Sequence, residues 1–195
     1  MTGVGVVLYG PPGSGKDTVT TELSRARPEF TLFQRLKAGP GRTTGYRLTS
    51  TEHIEDLDRA GELLYRNARY GAEYAIDRQG VSELVDQGMI PVLHMGQVAG
   101  ASAVSSYPIH WVKVLLWCPL DVTETRCQGR GDKDVETRLK VWHETRQDLL
   151  DHASEPWSLV IETHLHSPAE TAGIISDAVT SKTITQEQDV RGLVG

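Results

Sequence analysis

Residues 10–17 read Gly10-Pro11-Pro12-Gly13-Ser14-Gly15-Lys16-Asp17, a G-x-x-x-x-G-K stretch closed by an acid. In front of it stands the apolar run Val4 to Leu8, and behind it Val19, Leu23 and Ala26 recur at helical spacing. Strand, glycine-rich turn and helix in that order are the setting of a phosphate-binding loop. The glycines let the backbone curl until successive N–H groups face one concavity, and the helix N-terminus adds the positive end of its dipole. Gly10, Pro11, Pro12, Gly13, Ser14, Gly15, Lys16, Asp17 and Thr18 are therefore the candidate contacts to a nucleotide's phosphates. Lys16 is placed to reach the terminal ones. A plain Gly/Pro turn does not account for a lysine directly before the helix.

One position departs from the usual loop. Ser or Thr ordinarily follows the lysine and sets its hydroxyl on Mg²⁺, whereas here it is Asp17, followed by Thr18. Two readings stay open: the carboxylate holds the metal, directly or through water, or it is a first-turn anion that satisfies the helix dipole. The loop resembles those of nucleoside-monophosphate-kinase-like proteins.

Bulk composition narrows the classes. A chain of 195 residues is expected to fold as one domain with a sizeable core. Its 38% hydrophobic and 24% charged residues are ordinary for a globular protein. A net charge of −6 argues against a broad nucleic-acid-binding surface. Cys118 and Cys127 have neither metal-type spacing nor a disulfide framework. No apolar run approaches a membrane span, and nothing at the N-terminus resembles a signal peptide, so the profile expected is cytoplasmic.

Along the chain, strands alternate with helices, which predicts an α/β fold with a parallel sheet between two helical layers. The first strand runs Val4 to Tyr9, and its helix continues to about Arg27, where Pro28 closes it. Phe30 to Phe33 reads as a second strand. Residues 34–47 show no periodicity, three glycines and four basic residues. Thr49 with Glu52 reads as a capping box opening a helix through Ile54, Leu57 and Ala60. Leu63 to Tyr65 and the surroundings of Tyr74 stay open between strand and loop. A helix from about Ile76 stops at Gly88. Further strands are read at Met89–Leu93, Val112–Trp117 and Trp157–Ile161, and helices at 121–128, 135–150 and 168–179. The stretch after Lys182 is polar and reads as a loose tail, residues 183–195.

The chain resembles the guanylate kinase superfamily over about residues 4 to 180. The matching features, in order, are the phosphate loop, the basic Gly/Pro stretch ending at Tyr46, the segment from Ala60-Gly61-Glu62 to Tyr74, the strand ending near His94, and Arg126-x-x-x-Arg130-Gly131 with Arg138. This resemblance implies a P-loop NTPase-type three-layer core within residues 1–182. An acceptor-binding insertion is expected at about 34–75 and a helical lid at about 126–138. It implies ATP and Mg²⁺ as cofactors, with Asp17 toward the metal. It also implies acceptor contacts from Arg35, Lys37, Arg42, Tyr46, Tyr74 and Arg138, and catalytic roles for Lys16, Arg126, Arg130 and Arg138. His94 itself reads two ways: as a polar contact to the acceptor, or as a strand-end histidine that satisfies a backbone carbonyl. Arg130 is expected on the ATP phosphates as well. Positioning and charge neutralisation are what phosphoryl transfer requires, and a closing arginine lid supplies both.

The departures bear on the acceptor. Guanylate kinases read guanine with a Glu before the Tyr74-like tyrosine and an Asp at the following strand end. Here Asn67, Ala68 and Arg69 stand at the first place and His94-Met95-Gly96 at the second. A related branch, the ribose 1,5-bisphosphate kinases, also carries Lys-Asp in the loop and lacks those carboxylates. The expected activity is thus an ATP-dependent kinase whose small acceptor is a nucleoside monophosphate with a non-guanine base, or a sugar phosphate. The alternatives are a guanylate kinase with altered base recognition and a catalytically degenerate binding module. A module of that kind usually loses the loop that this chain keeps.

Overall fold

The computed structural model describes residues 3–41, 43–69, 71–131, 134–188 and 190–194. The chain begins with β1 (Val4–Tyr9), α1 (Lys16–Ala26), β2 (Phe30–Leu32), β3 (Leu36–Ala38), β4 (Arg47–Leu48) and α2 (Thr51–Arg59). It continues through β5 (Leu63–Arg69), β6 (Ala72–Asp77), α3 (Arg78–Asp86), β7 (Ile90–Met95), α4 (Val98–Ala103) and β8 (His110–Trp117). It closes with α5 (Leu120–Gly129), α6 (Val135–Asp151), β9 (Leu159–Glu162), α7 (Pro168–Ser181) and α8 (Val190–Val194).

Five parallel strands in the order β2-β7-β1-β8-β9 form the core sheet. Strands covered on both faces read as continuous apolar runs, and period-two alternation divides their side chains between the layers. Val6, Leu8, Val112, Val114 and Leu116 pack with Val19 and Leu23 of α1 and Ile175 of α7. Val7, Tyr9, Leu115 and Trp117 pack on the other face with Val81, Val98, Trp142 and Leu149. Pro91 is tolerated because it precedes the point, at Val92, where β7 begins to pair with β1.

Residues 36–77 build a second sheet, order β4-β3-β6-β5, over a small core of Leu36, Ala38, Ile54 and Ala75. The segments left open around Leu63 and Tyr74 are its two longest strands, β5 and β6. β3 and β4 lie inside the stretch that has no sequence periodicity. They are fixed from outside: Arg47 donates to the Gln34 carbonyl at 2.8 Å and pairs with buried Asp77. Asp77 also caps α3 by accepting from Gly80 N–H at 2.9 Å, so that helix starts at Arg78 and Ile76 stays in the sheet. Ser50, rather than Thr49, caps α2.

The C-terminal stretch does not hang loose as expected. Trp157 and Gln186 form a two-way backbone bridge, and Val190 and Val194 are buried against the core. Arg146 on α6 donates to the Val194 carbonyl at 2.7 Å. Apolar residues spaced four apart carry this packing, although the segment is polar on average. Among the described residues no helix is long and apolar enough to cross a membrane.

Candidate active site

The phosphate loop joins β1 to α1. Gly13 and Gly15 hold φ of 75° and 90°, a backbone region that favours glycine. At Gly10 a Cβ would stand 2.1 Å from the Leu116 carbonyl oxygen, so the chain enters the loop hard against β8. From α5, Thr123 Oγ1 donates to the Pro12 carbonyl at 3.1 Å and braces the loop. Lys16 folds back over it, its ammonium donating to the carbonyls of Gly10 at 2.6 Å and Pro11 at 2.9 Å. Lost hydration pulls this ammonium down to about 8, against the pull of Asp17.

β7 pairs with β1 in the register Leu8↔His94, which sets His94 beside the loop. Its Nε2 is 2.8 Å from Thr20 Oγ1, and its Nδ1 is 3.7 Å from Asp17 Oδ1. Burial, with the Lys16 charge next, lowers the imidazole to about 4, so His94 is neutral at neutral pH. Asp17 is largely exposed at the first turn of α1. Oxygen donors suit Mg²⁺, and of these two residues only Asp17 supplies one.

The three arginines expected on a lid differ in their surroundings. Arg126 is spent on structure: it donates to the Gly13 carbonyl at 2.8 Å and to Thr163 Oγ1 and carbonyl at 3.0 and 2.8 Å. It therefore fastens the loop to the end of β9 and does not join Arg130 over the cleft, as its spacing suggested. Arg130 and Arg138 line the same cleft of about 370 Å³ as Lys16, Asp17, Arg35, Tyr46 and His94. Arg138 also pairs with Asp134 one helical turn earlier at 3.1 Å. A second cavity, bounded by Gly15, Thr18, Arg126, Arg130, Thr163 and His166, flanks the loop on its other side.

Across the cleft, the Arg35 guanidinium lies 5.8 Å from the Tyr46 ring centroid and 5.2 Å from that of Tyr74, with the rings 5.4 Å apart. Such stacking orients a guanidinium without neutralising it. Lys37 meets this group only at the Tyr74 ring, 5.9 Å from its ammonium, and does not line the cleft. It is buried, and its ammonium donates to the carbonyls of Gly39 at 3.0 Å and Pro40 at 2.5 Å, so it holds the turn after β3. Arg42 lies outside the described residues.

Period two on β5 sends Tyr65, Asn67 and Arg69 to one face, where they meet Arg35, Tyr46, Tyr74, Gly96 and Gln97 around a third cavity. Tyr65 had no motif to mark it, and Arg69 was marked only as standing near the place of a missing Glu; the strand assignment reveals their shared face. Tyr65 donates to Gln97 Oε1 at 2.7 Å, and Arg69 pairs with Glu144 of α6 at 2.5 Å. Asn67 Oδ1 is buried with no partner among the described residues. Thr20 and Thr163, likewise missed, act on His94 and Arg126 through contacts far apart in sequence.

No family model matches the chain. The chain is 28% identical over 180 residues to the guanylate kinase of Thermosynechococcus vestitus, covering 84% of this chain and 94% of that one. It is 32% identical over 170 residues to the guanylate kinase of Synechococcus sp. strain CC9311, covering 83% and 87%. The crystal structure of guanylate kinase from Anaplasma phagocytophilum superposes with a TM-score of 0.65 at 20% identity, over 94% of this chain and 87% of that one.

Proposed function

The chain belongs to the guanylate kinase family, and from that premise we propose that it moves the γ-phosphoryl group of ATP onto the phosphate of GMP. It is an ATP-dependent kinase, and its relatives' names favour a nucleoside monophosphate acceptor. The observation that carries this reading is the single cleft in which Lys16, Arg35, Tyr46, Arg130 and Arg138 meet. The expectation of a non-guanine base or a sugar phosphate has no support among the relatives. A guanylate kinase with altered base recognition fits them better.

In this reading the loop N–H groups receive the β- and γ-phosphates, and the nucleoside of ATP lies in the cavity beside Arg126 and Thr163. Lys16 exchanges the Gly10 and Pro11 carbonyls for phosphate oxygens. Arg35, oriented by Tyr46 and Tyr74, grips the acceptor phosphate. An oxygen of that phosphate forms the new P–O bond as the bond from the γ-phosphorus to the bridging oxygen breaks, giving ADP and GDP. Lys16, Arg130 and Arg138 neutralise charge on the migrating group, which is the main catalytic need here. Asp17 would hold a divalent ion, whose contribution when bound is to offset charge on the phosphate oxygens. Asn67 and Gln97 stand where a base edge would be read, through neutral amides in place of carboxylates. ADP release with GMP, and its loss in Lys16→Ala, tests the reading.

A further inference from the structure

Asn67 and Arg69 lie two residues apart on β5, roughly 6.6 Å along the strand, and share the face that lines the third cavity. Glu144 of α6 accepts from Arg69 Nη2 at 2.5 Å and so orients the guanidinium fork. The other terminal nitrogen, Nη1, stands at Gly96, where an added Cβ would lie 3.6 Å from it. A carboxylate grown from position 96 would pair with this cation. Asn67 Oδ1 is buried with no partner among the described residues, and Gln97 Oε1 accepts from the Tyr65 hydroxyl at 2.7 Å. No carboxylate is among the described residues that border this cavity. Its wall thus sets a cationic fork beside a neutral, buried acceptor.

We propose that Arg69 is the specificity-determining residue of the acceptor site, donating to the O6/N7 edge of guanine while Asn67 Oδ1 accepts from N1–H. Guanine offers O6 and N7 as neighbouring acceptors, and an arginine fork donates to both. Adenine keeps N7 but turns its N6–H₂ donor toward the fork where guanine turns O6. A cation that meets a donor is left without its acceptor, which weighs against AMP. A carboxylate would instead take hydrogens from N1 and the 2-amino group. With a cation as the charged reader, the 2-amino group carries little of the recognition. IMP keeps O6, N7 and N1–H, so it satisfies the same contacts. This inference rests on the reading of GMP as the acceptor and says how its base is told apart.

Steady-state ADP release by the full chain with GMP, IMP or AMP tests it, in the unmutated chain and in Arg69→Met. The unmutated chain should use IMP with a kcat/KM within about tenfold of GMP, the most that a lost neutral hydrogen bond costs. In Arg69→Met the GMP-over-AMP ratio of kcat/KM should fall about 5–150-fold, the discrimination of one arginine–guanine pair. GMP and IMP should lose equally and the KM for ATP should not move, a pattern that a merely structural role does not produce. Rejection of IMP by more than about a hundredfold in the unmutated chain, beyond any neutral hydrogen bond, would overturn the proposal whether or not the variant folds. An equal loss for GMP and AMP in Arg69→Met would also overturn it. Both results leave GMP standing as the acceptor. Turnover of AMP with none of GMP in the unmutated chain would overturn the acceptor reading and this inference together.

Discussion

The Tyr9 hydroxyl donates to Asp148 Oδ2 at 2.9 Å, and the same oxygen accepts from Val98 N–H at 2.8 Å. One carboxylate on α6 thus ties the last residue of β1, next to the phosphate loop, to the start of α4, next to Gln97. Tyr9 is buried, and burial together with this carboxylate raises its phenol far above the ordinary range. Tyr9→Phe is expected to cost about 1–2 kcal/mol, the loss of one donor. Asp148→Ala is expected to cost more, about 2–4 kcal/mol, because it leaves the Val98 N–H without an acceptor and the Tyr9 hydroxyl with only the Thr145 carbonyl at 3.2 Å. Urea unfolding of both variants checks the order; equal costs would mean that the Val98 contact contributes nothing.

Arg126 and Arg138 should separate kinetically. Arg126 is bound to Gly13 and Thr163, whereas Arg138 opens onto the cleft. Arg126→Ala should lower thermal stability and raise the KM for ATP. Arg138→Ala should lower kcat by about 10²–10³-fold, as expected for a group that meets charge developing in the transition state. Matching profiles for the two variants would contradict the division of roles.

Lys16 supplies a pH signature. Without nucleotide its ammonium titrates at about 8, below the usual 10.5, because burial removes its hydration. The unfolded chain keeps that proton to higher pH, so it binds more protons than the folded one across this window. Stability therefore rises as pH climbs from about 8 toward 10.5. Phosphate binding has the opposite sense, since it needs the charged form. Nucleotide affinity should fall above pH 8 by up to about tenfold per unit, with proton uptake on binding near pH 9 and little near pH 7. Constant affinity over this range would show that Lys16 stays charged throughout.

Much of this site was legible in the sequence, and for physical reasons. Gly10 to Lys16 encode a local shape, so β1, the loop and α1 could be read from the single contiguous stretch Val4–Ala26. β3 and β4 could not, because strands of three and two residues carry no periodicity and are set by Arg47–Asp77 and by Lys37 beneath its turn. Basic charge in that stretch signalled phosphate binding for Arg35 and Lys37 alike. Only burial tells them apart. Arg126 lies on α5 and Arg130 caps its C-terminus, yet it is Thr163, from the far end of the sheet, that removes Arg126 from the cleft. The packing of α8 was hidden for a similar reason: two valines count for little in a polar average.

Asn67 gives the base-recognition claim its own test. Its Oδ1 is buried without a partner beside the cavity that Tyr65, Tyr74 and Gln97 help to form. Asn67→Leu should raise the KM for GMP about 2–13-fold, the value of one neutral hydrogen bond, with the KM for ATP unchanged. Selectivity for GMP in the unmutated chain should also be looser than two carboxylates would impose, since bonds to charged groups are worth about 1.5–3 kcal/mol each against about 1 for neutral ones. An equal rise in both KM values would make Asn67 a structural residue only.

The central claim is tested most directly by ADP release from ATP across a panel of GMP, AMP, CMP, UMP and ribose phosphates, with Lys16→Ala as the control. The account predicts turnover with GMP, the formation of GDP, weaker turnover with the other acceptors, and none in Lys16→Ala despite an unchanged circular dichroism spectrum. No turnover with GMP alongside efficient turnover of another acceptor, or full activity in Lys16→Ala, would contradict it.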